Sequence, residues 1–146
     1  MILFSGVAFG AAPDAEHWQG IYTFDEEDLG SRTSYWFHLD VKDVDGKLVA
    51  IYSEGVNGRA TRRFQLNVKV MAIKAQFYYD RCLPRVEGAN RACTESDFSN
   101  GDLMFEIEEQ PRHCKTELIT VWHKINLAAR TETGADEQVF FKRAYE

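Results

Sequence analysis

Long apolar runs and basic residues are scarce in this chain. Past the first dozen residues, no apolar stretch approaches the roughly 18 residues that a membrane-spanning helix needs, so no membrane span is expected. The 17 basic side chains are outnumbered by 23 acidic ones, which gives a formal net charge of -6. This balance opposes nucleic-acid binding, because that affinity depends on lysine and arginine displacing counterions from phosphates. The 146 residues fit a single domain.

Sequence patterns for catalysis are also missing. The chain has no P-loop, no glycine-rich dinucleotide fingerprint and no serine elbow. None of its four histidines shows zinc-site spacing, and His113 with Cys114 is the only adjacent pair of soft ligands. Adjacent carboxylates such as Glu108 and Glu109 are typical of solvent-exposed surface charge and do not indicate a catalytic glycosidase pair. We therefore expect no enzyme activity, no cofactor and no metal.

The N-terminal segment is apolar and built partly of small residues. Residues 1–12 read MILFSGVAFGAA, and Pro13 to Glu16 then turn polar, which resembles the apolar and cleavage regions of a secretory signal. The basic segment that usually precedes them is missing, so an ordinary apolar N-terminal segment is the alternative. We interpret residues 1–16 as a signal-peptide remnant or a disordered segment, and expect a periplasmic or secreted protein.

The three cysteines give partial support for export. Cys82 and Cys93 flank the irregular segment LPRVEGANRA, and a disulfide between them would close a loop of about a dozen residues. Such a bond contributes on the order of 3 kcal/mol in an oxidising compartment. Cys114 would then be left over. A bond between Cys93 and Cys114 is the main rival, and three reduced thiols in a cytosolic protein are the other alternative.

Alternation with a period of two dominates the rest of the chain, which is the pattern of strands with one buried face. The segment WQGIYTF, from Trp18 to Phe24, is the first predicted strand, and SYWFHLDVKD is the second. Asp45-Gly46 and Asn57-Gly58 predict tight turns between strands. The apolar phase flips near Met71, which predicts a bulge, a sharp bend or a tight turn.

The other strand-like segments are LVAIYS, the run from Arg62 to Tyr79 on either side of the flip, DLMFEIE, KTELITVWH and QVFFKRAY. The sequence predicts about eight strands and no convincing amphipathic helix. This is the profile of an all-β, antiparallel up-and-down barrel or sandwich covering residues 17–146.

Two features are candidates for binding. The first is an acidic cluster in the connection after the first strand, at a predicted barrel rim, where loops usually carry recognition; it comprises Asp25, Glu26, Glu27 and Asp28. A merely solvated loop is the alternative. The second is the set of aromatic residues opposite the main apolar face, namely Trp36, Tyr78 and Phe140. These would line a ligand cavity or complete a second core layer, and we favour a filled interior.

The order WQGIYTF, GDLMFEIE, LITVW and VFFKR resembles a bacterial lipocalin-like domain family of unknown function. Trp18 and Gly20 look like the opening-strand signature of lipocalin-like barrels, in which the tryptophan closes one end. The resemblance implies a barrel and an exported protein. It transfers no catalytic residue to this chain.

Small size, expected export, negative charge and missing catalytic groups together favour a binding protein. We expect an inhibitor of, or immunity protein against, a cationic cell-envelope hydrolase or delivered toxin, with Asp25 to Asp28 at the contact. A lipocalin-like carrier of a small apolar ligand is the alternative, and an envelope assembly factor is a third possibility.

Overall fold

The computed structural model describes residues 11–28, 30–86, 93, 97–112, 114–125, 137–138 and 142–143. A helix, α1, spans Ala11–Trp18. The strands follow in chain order as β1 Gly20–Asp28, β2 Thr33–Val44, β3 Lys47–Val56, β4 Arg59–Val70, β5 Lys74–Cys82, β6 Leu103–Arg112, β7 Lys115–Trp122, β8 Glu137–Gln138 and β9 Lys142–Arg143.

All nine strands belong to one antiparallel sheet in the order β9-β1-β2-β3-β4-β5-β6-β7-β8. The sheet is strongly curled. Phe37 on β2 and Trp122 on β7 have ring centroids 6.4 Å apart, whereas five strand spacings in a flat sheet would separate them by roughly 24 Å. The interior therefore lies inside a barrel-like wall.

The last two strands draw the edges of the sheet together. β8 pairs with β7 at one edge, and β9 pairs with β1 at the other. Only four Cα-to-Cα steps separate Gln138 from Lys142, which reach at most about 14 Å. The two edges must therefore lie close to each other, as the predicted barrel requires.

The core consists of the residues that the period-two pattern places on one face. Phe37, Leu39 and Val41 on β2 are buried, and so are Ala50 and Tyr52 on β3. Aromatic contacts run across the interior, from Phe37 to Trp122, from Trp122 to Phe105, from Phe105 to Tyr52 and from Tyr52 to Phe64. The described side chains thus reach each other across the barrel, in line with the filled interior that we favoured.

The all-β antiparallel fold is confirmed, with two corrections of detail. Seven strands of 8 to 12 residues form the wall instead of about eight, and the predicted closing strand QVFFKRAY is described only as β8 and β9. Trp18 ends helix α1 and is not part of the first strand. Gly20, with a φ of 141° that other residues rarely adopt, lets the chain turn from α1 into β1.

The predicted turns are confirmed. Asp45-Gly46 and Asn57-Gly58 adopt positive φ values and join β2 to β3 and β3 to β4. The phase flip near Met71 is a tight turn over residues 71–73 between β4 and β5, closed by the Met71 N–H donating to the carbonyl of Lys74 at 2.8 Å. Val70 pairs with Ala75 across this turn, so even-numbered residues of β4 lie opposite odd-numbered residues of β5, and the odd-numbered side chains face the interior on β5.

Candidate functional site

The two ends of the barrel differ. At the end where β1 begins, α1 packs against the sheet: Trp18 is buried, its carbonyl accepts a hydrogen bond from the Tyr22 hydroxyl at 2.8 Å, and His17 pairs with Glu109 at 2.7 Å. We call this the helix end. The opposite end, where β1, β3 and β5 finish, is called the distal end; it carries the site residues predicted from the sequence.

The acidic cluster lies in a strand and not in a loop, which corrects the sequence-based expectation. Antiparallel pairing of β1 with β2 continues from Gly20 opposite Val41 through Asp28 opposite Thr33, so all four acidic residues belong to β1. Asp25 and Glu27 are exposed, and they alternate with the interior-facing Phe24. Their carboxylates therefore project from the outer face of the barrel at the distal end.

The disulfide loop starts at the same end. Cys82, the last residue of β5, forms a disulfide with Cys93, and their Cα atoms are 5.9 Å apart. This confirms the predicted Cys82–Cys93 bond. Cys114 is a free, exposed thiol in the turn between β6 and β7, at the helix end. β1 and β5 are four strands apart in the sheet, so the acidic residues and the disulfide occupy different sides of one rim.

A charged pair faces the barrel interior beneath this rim. Glu54 accepts a hydrogen bond from the Tyr52 hydroxyl at 2.6 Å and pairs with the Arg62 guanidinium at 3.0 Å. The guanidinium lies 5.4 Å from the centroid of the Phe64 ring and 5.6 Å from that of Phe98. Phe98 follows the disulfide loop, so the pair is enclosed by aromatic rings from the wall and from that loop.

Sequence reasoning missed this pair, although a signal was present. Glu54 lies two residues after Tyr52, and Arg62 lies two residues before Phe64. Both positions therefore continue the alternation that places Tyr52 and Phe64 in the interior. The Asn57-Gly58 turn brings their two strands together. Opposite charges in phase with the core across a predicted hairpin indicate an inward-facing ion pair.

The outer face carries an aromatic surface beside the acidic residues. Trp36 lies opposite Asp25 on β1 and opposite Gly55 on β3. Its indole covers Gly55 so closely that a Cβ there would come within 2.3 Å of the ring. Trp36 and Tyr78 both lie opposite the main apolar face, as predicted, and neither lines an interior cavity, whereas Phe140 lies outside the described residues. Trp36 forms part of the outer surface.

A second polar group occupies the outer face of β5 and β6. Glu106 is contacted by the Gln76 amide at 2.6 Å, by Lys74 at 3.2 Å and by His123 at 3.1 Å. Burial raises the pKa of Glu106, but the hydrogen bonds from Gln76, His123 and Lys74 outweigh it and hold that pKa below its ordinary value. The carboxylate on β6 is thus kept ionised by two donors from β5 and by His123, which directly follows β7, so the contacts connect three neighbouring strands.

Within the described ranges, no three histidine, cysteine, aspartate or glutamate side chains are placed to hold a metal ion. No helix in that part of the chain is both long and apolar enough to cross a membrane. Neither a protein-family model nor a curated protein nor a solved structure matches this chain.

Proposed function

We propose that this chain is an exported binding protein of the lipocalin-like type, and that it inhibits, or gives immunity against, a cell-envelope hydrolase or delivered toxin. It acts by occluding a cationic protein with its distal rim. The observation that carries the proposal is the pair of exposed carboxylates on Asp25 and Glu27. Neither takes part in an ion pair among the described residues.

Two further observations support the proposal. The Cys82–Cys93 disulfide fits an oxidising compartment such as the periplasm or the exterior. The aromatic contacts that cross the interior, including Phe105 with Tyr52 at 5.7 Å, favour recognition by the surface over carriage of an apolar ligand inside the barrel. A binding surface on the rim needs no interior volume.

Charge complementarity also predicts how the contact forms. The exposed rim carboxylates accelerate encounter with a basic partner through long-range attraction, and salt screens that attraction. The proposal therefore predicts a one-to-one complex that weakens as the salt concentration rises.

The test is capture of a partner with the full chain, followed by calorimetry against the purified partner or a cationic envelope hydrolase. The variant Asp25→Asn/Glu27→Gln is expected to weaken binding by roughly fivefold to thirtyfold at low salt, because each of the two rim charges contributes on the order of 0.5 to 1 kcal/mol. A matched control, Asp43→Asn/Asp45→Asn, removes the same charge from the exposed β2–β3 turn at the helix end. Recovery of no protein partner at low salt, or equal losses in both variants, would contradict the proposal.

A further inference from the structure

We infer that Trp36, Asp25 and Glu27 together form a receiving surface for a lysine or arginine side chain of a basic protein partner. This inference rests on the proposed function and names the contact by which the partner is held. The three residues are called the indole–carboxylate surface. It lies on the outer face of β1 and β2 at the distal end.

The indole is held in place from below. Gly55 is buried although it lies on the outer face, because the Trp36 ring covers it, and the Cε2, Cζ2 and Nε1 atoms all lie within 2.4 Å of the place a Cβ would occupy. Any larger residue at position 55 would push the ring away. The ring therefore lies against β3, with part of its surface still accessible to solvent.

Strand register places the two carboxylate residues on β1, on the side of Trp36 opposite to Gly55 on β3. Asp25 is the direct cross-strand partner of Trp36, and such partners have Cβ atoms about 4.5 to 5.5 Å apart. Glu27 lies opposite Ser34 on the same face, which makes it the diagonal neighbour of Trp36 at about 7 to 8 Å. Both carboxylates are exposed, and both are absent from the ion pairs of the described residues.

This combination selects a cation. An aromatic face attracts an ammonium or guanidinium group within about 6 Å of the ring centroid, and tryptophan is the strongest of the aromatic side chains in this respect. A neighbouring carboxylate adds a charge-assisted hydrogen bond to the same group. A neutral or acidic group gains neither interaction, so charge complementarity commits the surface to a basic side chain of the partner.

The experiment is a titration of the full, ¹⁵N-labelled chain with a hexalysine peptide, and with a glycine-serine hexamer as the neutral control, at low salt. The three tryptophan indole N–H signals are followed by NMR, and that of Trp36 is assigned from the variant Trp36→Leu. Saturable shifts are expected for the Trp36 indole and for the backbone amides of Asp25 and Glu27. The indole N–H signal of the buried Trp18 is expected not to shift.

Two variants separate this surface from general charge attraction. Asp25→Asn/Glu27→Gln is expected to raise the apparent Kd for hexalysine by about fivefold, while Asp43→Asn/Asp45→Asn changes it less than twofold. Trp36→Leu keeps an apolar side chain over Gly55 and is expected to raise the Kd by about two- to fivefold. If the Trp36→Leu variant does not fold, the effect of Asp25→Asn/Glu27→Gln on the hexalysine Kd still tests the inference.

Larger or equal shifts at the Asp43 to Asp45 turn, or a non-saturating response of the Trp36 indole, would overturn the inference. Its failure is distinguishable from failure of the proposed function. If hexalysine shifts the Trp36 indole signal but no protein partner is captured, the inference is supported and the proposed inhibitor function is contradicted. A captured partner whose binding weakens in Asp25→Asn/Glu27→Gln but is unchanged in Trp36→Leu supports the proposed function and overturns the inference.

Discussion

At the scale of single residues, the structure separates charges that pair within the barrel from charges that do not. Glu54 and Glu106 are both largely shielded from solvent, and each has hydrogen-bond donors around it. Asp25 and Glu27 are exposed at the distal end. A buried carboxylate without hydrogen-bond donors would lower the stability of the fold, whereas an exposed carboxylate is hydrated and changes the stability little.

Glu106 gives the first prediction at this scale. Because its pKa is lower in the folded chain than its ordinary value, its ionised form stabilises the fold above that ordinary value, about 4.5, and this contribution is lost as the pH falls through the folded pKa. The free energy of unfolding of the native chain should therefore exceed that of Glu106→Gln most clearly at neutral pH, and the difference should shrink below about pH 4.5. Urea denaturation at a series of pH values measures it.

Glu117→Gln is a suitable reference, since it makes the same substitution on β7, the strand that pairs with β6. A stability difference for Glu106→Gln that stays constant from pH 7 to pH 3 would contradict the assignment.

At the scale of elements, the disulfide loop is the part that depends most on a covalent bond. Cys82 ends β5 opposite Phe64, and Phe98, which follows the loop, packs on Phe64 and on Tyr79. The bond therefore connects the wall to the chain that carries an aromatic ring over the distal end. Sequence spacing alone allowed three single pairings, with Cys93–Cys114 as the main rival, because any two of the three cysteines lie within reach of a loop.

The variant Cys82→Ser/Cys93→Ser is expected to lower the free energy of unfolding by about 3 kcal/mol, because its unfolded chain regains the loop entropy that the disulfide removes. Chemical denaturation measures the change. Cys114→Ser, at an exposed position, should lie within about 0.5 kcal/mol of the native chain. A loss for Cys82→Ser/Cys93→Ser as small as the one expected for Cys114→Ser would contradict this prediction.

At the scale of the whole molecule, the described strand pairing is shortest at the seam of the barrel, where β8 meets β7 and β9 meets β1. β3 and β4 pair over long ladders on both sides, whereas β8 and β9 are described with two paired residues each. Local opening begins where few backbone hydrogen bonds and few packed side chains must be broken. The seam between β1 and β7 should therefore open before the rest of the sheet.

Native-state hydrogen exchange checks this expectation. Amides of β3 and β4 should exchange slowest, with protection close to that of global unfolding, and amides at positions 137–138 and 142–143 should exchange at least tenfold faster. Peptide-level mass spectrometry resolves these segments. Protection of the C-terminal segment equal to that of β3 would mean that the barrel closes as firmly at the seam as elsewhere.

The sequence alone determined the class of fold, the turns and the side chains that face inward. A period of two assigns each residue to one face of a strand, so Phe37, Leu39 and Val41 could be placed in the core without coordinates. Asp-Gly and Asn-Gly identify tight turns because these residues tolerate positive φ. Both kinds of information are local, and local patterns survive in any sheet that buries one face.

Only the tertiary structure decided where β1 ends, which cysteines pair and what covers Gly55. Strand length depends on a partner: Asp25 to Asp28 have poor strand composition, but the pairing of β1 with β2 carries them through to Thr33. The Glu54–Arg62 pair and the indole over Gly55 likewise arise between strands, from registers that no single segment specifies. Local alternation specifies the face of a side chain, while its neighbours on that face depend on how the strands align.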